Sequence, residues 1–176
     1  MKIILLTLAA IIAGQASMGV RYQNSPCAFS FEYPKDWQIV KNPDDVTEPC
    51  AATLRPANPG RRGVRNAELS TLTIQVSELT FLQMAADSGF DFDGGWLVKG
   101  RQGARSKADI TNLNGWLILR GIAAGGCESG GRTVPCDEYR VVARHRDDDR
   151  VVSIAGGSQT EDVLEAILKT LKLNAH

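Results

Sequence analysis

The chain has 176 residues, with 20 Lys plus Arg against 20 Asp plus Glu, for a net charge of zero. That balance excludes nucleic acid as a general partner, because phosphate binding draws on a surplus of cations. The length fits one domain that buries an ordinary core.

The first 16 residues read as a signal peptide. Lys2 supplies a minimal positive start, Ile3 to Ala13 form an uncharged apolar run, and Gly14-Gln15-Ala16 sets small residues at the positions a signal peptidase reads. The run is too short to span a bilayer as a helix, so no stable membrane insertion is expected after cleavage. An uncleaved anchor is the alternative. A lipid anchor ranks below both, since the first cysteine, Cys27 in Asn24-Ser25-Pro26-Cys27, lies far from the apolar run and behind the wrong residues for lipid attachment. The mature chain, residues 17–176, is then a single exported domain, periplasmic or secreted, that starts near Ser17.

Ala28 to Tyr33 alternates around Phe29, Phe31 and Tyr33, a strand pattern. Pro34 stops it, Lys35-Asp36 turns, and Trp37 to Val40 resumes as a strand with Trp37 and Ile39 on one face. A tryptophan just after such a corner is placed to cover the end of a core. Lys41 to Glu48 reads as a loop and Cys50 to Leu54 as a short strand. Arg55 to Asn66, "RPANPGRRGVRN", is the clearest flexible loop, with two prolines, two glycines and four arginines. Leu72, Ile74 and Val76 share one face of the next strand, with Thr71, Thr73 and Gln75 on the other. Thr80-x-x-Gln83 resembles a capping box and predicts a short helix near 80–88. Trp96-Leu97-Val98 follows a glycine pair. Trp116 to Ile122 is apolar on both faces, which predicts a strand covered on both sides. Tyr139 to Ala143 and Val151 to Ala155 read as a hairpin with Asp147-Asp148-Asp149 near its turn. Ser158-x-x-Glu161 opens a last helix with an apolar stripe of Val163, Leu164, Ile167, Leu168 and Leu171.

Cys27, Cys50, Cys127 and Cys136 form an even set in an exported chain, which favours two disulfides. Four cysteines allow three connectivities. Nearest-neighbour pairing favours Cys27–Cys50 with Cys127–Cys136, the second pair bracketing a loop. Zinc is the sharper alternative, but no C-x-x-C pair or adjacent histidine supports it.

The segment "FSFEYPKDWQIV" resembles the opening strand and corner of the PsbP-like domains, which share a fold with the yeast Mog nuclear-import factor. The closing "TEDVLEAILKTLKL" is similar to the last helix of the same group. The resemblance implies an α+β chain, an α/β/α sandwich around an antiparallel β-sheet. It also implies a non-enzymatic role, since the family's members assist a photosystem, bind a small GTPase or serve in the bacterial envelope. No functional residue carries over one by one.

The residues themselves offer little catalytic chemistry, and no catalytic residue, cofactor or metal ligand is assigned. His145 ends a strand beside a turn, without a nucleophile and an orienting partner in sequence view. Gly126-Cys127-Glu128-Ser129-Gly130 has its serine one place too late for a nucleophile elbow. Asp91-Phe92-Asp93-Gly94 looks like a calcium-loop fragment but lacks the remaining ligands, and the aspartates 147–149 read as a solvated turn. Two basic stretches remain: Lys99, Arg101, Arg105 and Lys107, and the loop arginines Arg55, Arg61, Arg62 and Arg65. The loop is the better contact element, and its expected complement is an acidic protein surface. The reading is an envelope binding module, either an inhibitor or immunity protein or an accessory subunit. The alternative is a small-ligand or metal-binding protein that uses a pocket between sheet and helices.

Overall fold

The corner at Pro34-Lys35-Asp36 carries the chain from a small sheet into a large one. The computed structural model describes residues 18–40, 49–58, 71–100, 103–129, 132–157 and 160–174, with positions 18 and 126–135 described by their backbone alone. The expected signal segment, Arg61, Arg62, Arg65, Arg101 and Ser158 lie outside the described residues. In chain order the strands are β1 (Met18–Asn24), β2 (Phe29–Pro34), β3 (Trp37–Val40), β4 (Ala51–Pro56) and β5 (Leu72–Ser77). Helix α1 (Phe81–Asp87) precedes β6 (Phe90–Phe92), β7 (Trp96–Lys99), β8 (Arg105–Leu113) and β9 (Trp116–Ala123). A hairpin of β10 (Gly126–Ser129) and β11 (Arg132–Pro135) leads to β12 (Glu138–His145), β13 (Val151–Gly157), helix α2 (Glu161–Thr170) and β14 (Lys172–Leu173).

The large sheet has nine strands in the order β3-β4-β5-β13-β12-β9-β8-β7-β6, every neighbouring pair antiparallel. The small sheet has the order β1-β2-β14. The prediction of an α+β fold around an antiparallel sheet is met. One face of the large sheet packs on α2 and the small sheet, the other on α1.

Two cores result, because the sheet separates alternate side chains. The larger joins Phe29, Phe31 and Trp37 to Leu54, Ile74, Ile154 and the α2 stripe of Val163, Leu164, Ile167 and Leu168. The smaller joins Phe81, Met84 and Ala85 of α1 to Phe90, Val98, Leu119, Val142 and Val151. Strand β9 feeds both, with Ile118 in the first and Leu119 in the second, as its two-sided apolar pattern predicts. Gly121 sits opposite Ala108, and a Cβ there would lie 2.8 Å from Val98 Cγ1, so glycine lets β7 cover β9 closely.

Local signals fixed both helices, with one shift. Thr80 and Gln83 form the reciprocal capping box at α1. At α2 the N-cap is Thr160, not Ser158, and its hydroxyl donates to the Gly157 carbonyl at 2.8 Å instead of capping the first turn. Thr160 is fully buried, so the end of β13 claims its hydroxyl before the helix does. Two further expectations change. Arg55 and Pro56 belong to β4, not to the loop. The bracketed segment before Cys136 is a two-stranded hairpin, not an irregular loop.

A clamp closes the far end of the larger core. Ala28 holds a positive φ of 47°, uncommon for a residue with a Cβ. The Arg150 guanidinium donates to the carbonyls of Cys27 (3.0 Å), Ala28 (3.4 Å) and Asn174 (2.9 Å), and pairs with Asp148. One side chain from the β12–β13 hairpin thus fixes the β1–β2 turn and the chain end after β14.

Candidate functional site

Helix α2 covers only part of its face of the sheet. Beside it, above β8, β9 and the start of β12, lies a cleft of about 540 Å³. Ile122 is on the same face of β9 as Trp116 and Ile118, yet it stands 40% exposed in the cleft. Most of the rest of the lining is polar. Lys107 and Asp109 come from β8, Arg120 from β9, Tyr139 from β12, and Glu161 and Glu165 from one flank of α2, with Asp137 at one end.

Glu161 and Glu165 are one helical turn apart, so both point at the sheet. Arg120 donates to Glu165 at 2.8 Å. Burial, then the hydrogen-bonded Glu161 carboxylate, pushes the Tyr139 phenol up to about 12. Asp109 is the cross-strand neighbour of Arg120 but has no ion pair among the described residues. The cleft therefore offers four carboxylates and two cations beside the exposed Ile122, with the Tyr139 hydroxyl hydrogen-bonded to Glu161.

His145 is not part of it. It lies six residues along β12 from Tyr139, about 20 Å at strand spacing. Its ring meets Trp116 edge-on at 5.1 Å, and the Asp147 amide donates to Nδ1 at 3.3 Å, which leaves the neutral ring's proton on Nε2.

The aspartates that look like metal-site fragments in sequence meet cations of the protein itself. Asp91 lies 3.3 Å from Lys99 and 3.6 Å from Arg105, and Asp93 lies 3.8 Å from Arg105. The Lys99 ammonium, by hydrogen bond and charge, holds the Asp91 carboxyl below its usual range. Asp148 is taken by Arg150 at 2.6 Å. Among the described residues no group of three or more His, Cys, Asp or Glu is arranged to hold a metal ion. These contacts also give the second basic stretch a structural use, with only Lys107 of its described members directed to the cleft.

Cys27 and Cys50 form the expected disulfide, with a Cα–Cα distance of 5.4 Å. Closing a loop of 23 residues contributes about 3 kcal/mol in the chain-entropy model. Cys136 is buried and disulfide-bonded. The sequence leaves Cys127 as its expected mate, and the Cys127 side chain lies outside the described residues.

Of the four loop arginines only Arg55 is described, exposed on β4 opposite Gln38. What the sequence reading missed is the other end of the sheet. There Phe92 is 65% exposed and Ile110 44%, Leu82 of α1 is 66% exposed, and Trp96 is half-buried. Trp96 meets Phe92 edge-on at 5.5 Å and Phe81 at 6.5 Å. Strand β8 itself was also missed. Its signal was the Asn114-Gly115 pair, the commonest two-residue hairpin turn.

No protein-family model and no curated protein sequence matches the chain. Solved structures do. The solution structure of cyanobacterial PsbP (CyanoP) from Synechocystis aligns over 96% of this chain and 98% of that one, at 12% identity and a TM-score of 0.50. A crystal structure from Bacteroides thetaiotaomicron aligns over 90% of this chain, at 11% identity and a TM-score of 0.46, and the chain spans half its length. LpqN, involved in cell envelope biogenesis of Mycobacterium tuberculosis, aligns over 84% of this chain and 83% of that one, at 12% identity and a TM-score of 0.39. The fold is PsbP-like. No described helix is long and apolar enough to cross a membrane.

Proposed function

We propose that this chain is an exported, disulfide-braced PsbP-like module that works by binding another protein in the bacterial envelope, as an inhibitor or immunity protein or as an accessory subunit. The observation that carries this reading is the α1 face of the sheet, where Leu82, Phe92 and Ile110 stand exposed and Phe92 lies edge-on to Trp96. Large apolar and aromatic side chains left exposed on one face are what protein interfaces bury. The disulfide between Cys27 and Cys50 and the leader-like first 16 residues support export. The loop arginines Arg55, Arg61, Arg62 and Arg65 offer a second contact, with an acidic surface as its complement.

The test is co-purification from a periplasmic extract with three baits: the native chain, Leu82→Ser with Phe92→Ser, and Arg61→Glu with Arg62→Glu. A stoichiometric partner lost with the first double variant supports the α1 face as the contact. Loss with the second moves the contact to the arginine loop. Recovery of no partner by the native chain, in an extract where the protein is abundant, rejects the reading.

A second reading rests on the cleft beside α2, whose volume of about 540 Å³ is that of a small-ligand site. A small polar or cationic molecule that quenches or shifts Tyr139 signals, with no effect of the Leu82 and Phe92 changes, would favour it.

A further inference from the structure

Strand β8 has an edge that no other described strand covers. Strand β7 pairs with it only from Arg105 to Lys107. On its other side, β9 pairs with it from Ala108 to Leu113 without a bulge. The outer edge from Asp109 to Leu113 has no ladder partner among the described residues.

The phase of this hairpin decides which backbone groups are free. Its turn is Asn114-Gly115, both at positive φ, 50° and 85°, so Leu113 and Trp116 flank a two-residue turn and exchange both hydrogen bonds. The other side of β9 gives the same phase. The Arg146 amide donates to the Gly115 carbonyl at 2.9 Å, so Gly115, Leu117 and Leu119 turn toward β12 while Trp116, Ile118 and Arg120 turn toward β8. Asp109, Thr111 and Leu113 therefore bond to β9. Ile110 and Asn112 aim their N–H and C=O groups outward, in two sets about 7 Å apart.

Only an extended backbone matches such a row. Sheets guard exposed edges with lysine, proline or a bulge, and Ala108-Asp109-Ile110-Thr111-Asn112-Leu113 has none of these. Its one charge is Asp109, which has no ion pair among the described residues. Asp109 faces the cleft, where four carboxylates outnumber two cations. Ile110 lies on the opposite face, the one it shares with Phe92.

We propose that the outer edge of β8 at Ile110 and Asn112 receives an extended segment of a partner protein as an added strand, with a basic side chain set against Asp109 and apolar ones on the face of Ile110 and Phe92. This rests on the protein-binding reading and names its mode. A second copy is a poorer occupant, because its own β8 would bring another aspartate rather than a cation.

The probe is an acetylated, amidated Val-Lys-Val-Lys-Val peptide titrated into 15N-labelled protein. In the free protein the amides of Ile110 and Asn112 exchange fast while those of Thr111 and Leu113 are protected. Bound peptide shifts and protects Ile110 and Asn112. Asn112→Pro removes an outward donor that β9 does not use, and weakens binding about tenfold or more. Unchanged shifts at Trp116 and Ile118 show that this variant keeps the hairpin. Should it not fold, the same peptide N-methylated at the residues facing the edge must lose binding to the native protein. Replacing lysine by glutamate in the peptide also weakens binding.

Protected Ile110 and Asn112 amides in the free protein, shifts confined elsewhere, equal binding of the N-methylated peptide, or a dimer formed through β8 would each overturn the proposal. A partner recovered from the envelope that binds Asn112→Pro unchanged sinks the added strand and leaves the binding-module reading standing. Peptide addition at the edge with no recoverable partner does the reverse.

Discussion

The two cores are finished differently. Around α2 and the small sheet, Phe29 and Phe31 are fully covered, and the polar groups at the rim are tied down by Arg150 and by the Cys27–Cys50 disulfide. Around α1, a helix of seven residues, Phe92 stays exposed, Leu82 points away from the helix's buried face, and the edge of β8 beyond its short pairing with β7 stays open. Stability resides in the first region. The second is held by fewer buried groups and keeps its side chains and backbone available, which is what a contact surface needs.

The sharpest break of this contrast exchanges one phenylalanine for alanine at each end. Phe31→Ala removes a ring packed among Tyr22, Phe29 and Tyr33 and should cost about 4 kcal/mol. Phe92→Ala should change stability by less than about 0.5 kcal/mol. Urea denaturation of both variants checks the pair, and comparable losses would erase the distinction between the ends.

Arg150→Met tests the clamp. It frees three carbonyls and leaves Asp148, a fifth exposed, without its cation, for a loss of about 3 kcal/mol. The same pair sets a pH dependence. The hydrogen-bonded Arg150 guanidinium holds the Asp148 carboxyl below its ordinary value. A depressed folded value stabilises the protein above the unfolded pKa and stops doing so as pH falls through the folded one, so the contribution fades below a pH of about 4. Asp148→Asn should flatten that part of the stability profile, and an unchanged acid limb would remove Asp148 from the account.

The smallest effect is expected at the cleft. The Tyr139 phenol is raised to about 12, so between the ordinary value of 10.0 and 12 the unfolded chain loses a proton that the folded one keeps. Stability must fall with rising pH across that window. Absorbance titration of the tyrosinate band should show late ionisation of Tyr139, lost in Tyr139→Phe, and Glu161→Gln should bring it earlier. A late tyrosine that ignores this change would mean Glu161 does not set it.

The difference between what was legible and what was not follows the range of the interactions. Alternation placed β2, β3, β5, β12 and β13, and a two-sided apolar run placed β9, because a strand with a buried face shows its pattern locally. The Thr80–Gln83 box and the α2 stripe were equally local. Pro34 announced its corner, since proline ends a ladder wherever it falls. Cys27–Cys50 followed from the nearest spacing. Strand β1 and most of β8 carried no such mark: β1 adjoins the leader-like segment, and β8 is exposed from Asp109 onward, so neither face selects apolar residues.

Tertiary neighbours decided the rest. Ile122 has the pattern of a buried residue and is exposed in the cleft beside α2. Asp91, Asp93 and Asp148 look like ligands in sequence and are ion-pair partners in space, because β7, β8 and Arg150 bring cations to them. The sequence by itself determined where strands and helices form, since backbone propensity and side-chain period act within a few residues. Which edges stay open, which faces stay bare and which charges meet was settled only by the order of strands in the sheet, which pairs residues far apart in the chain.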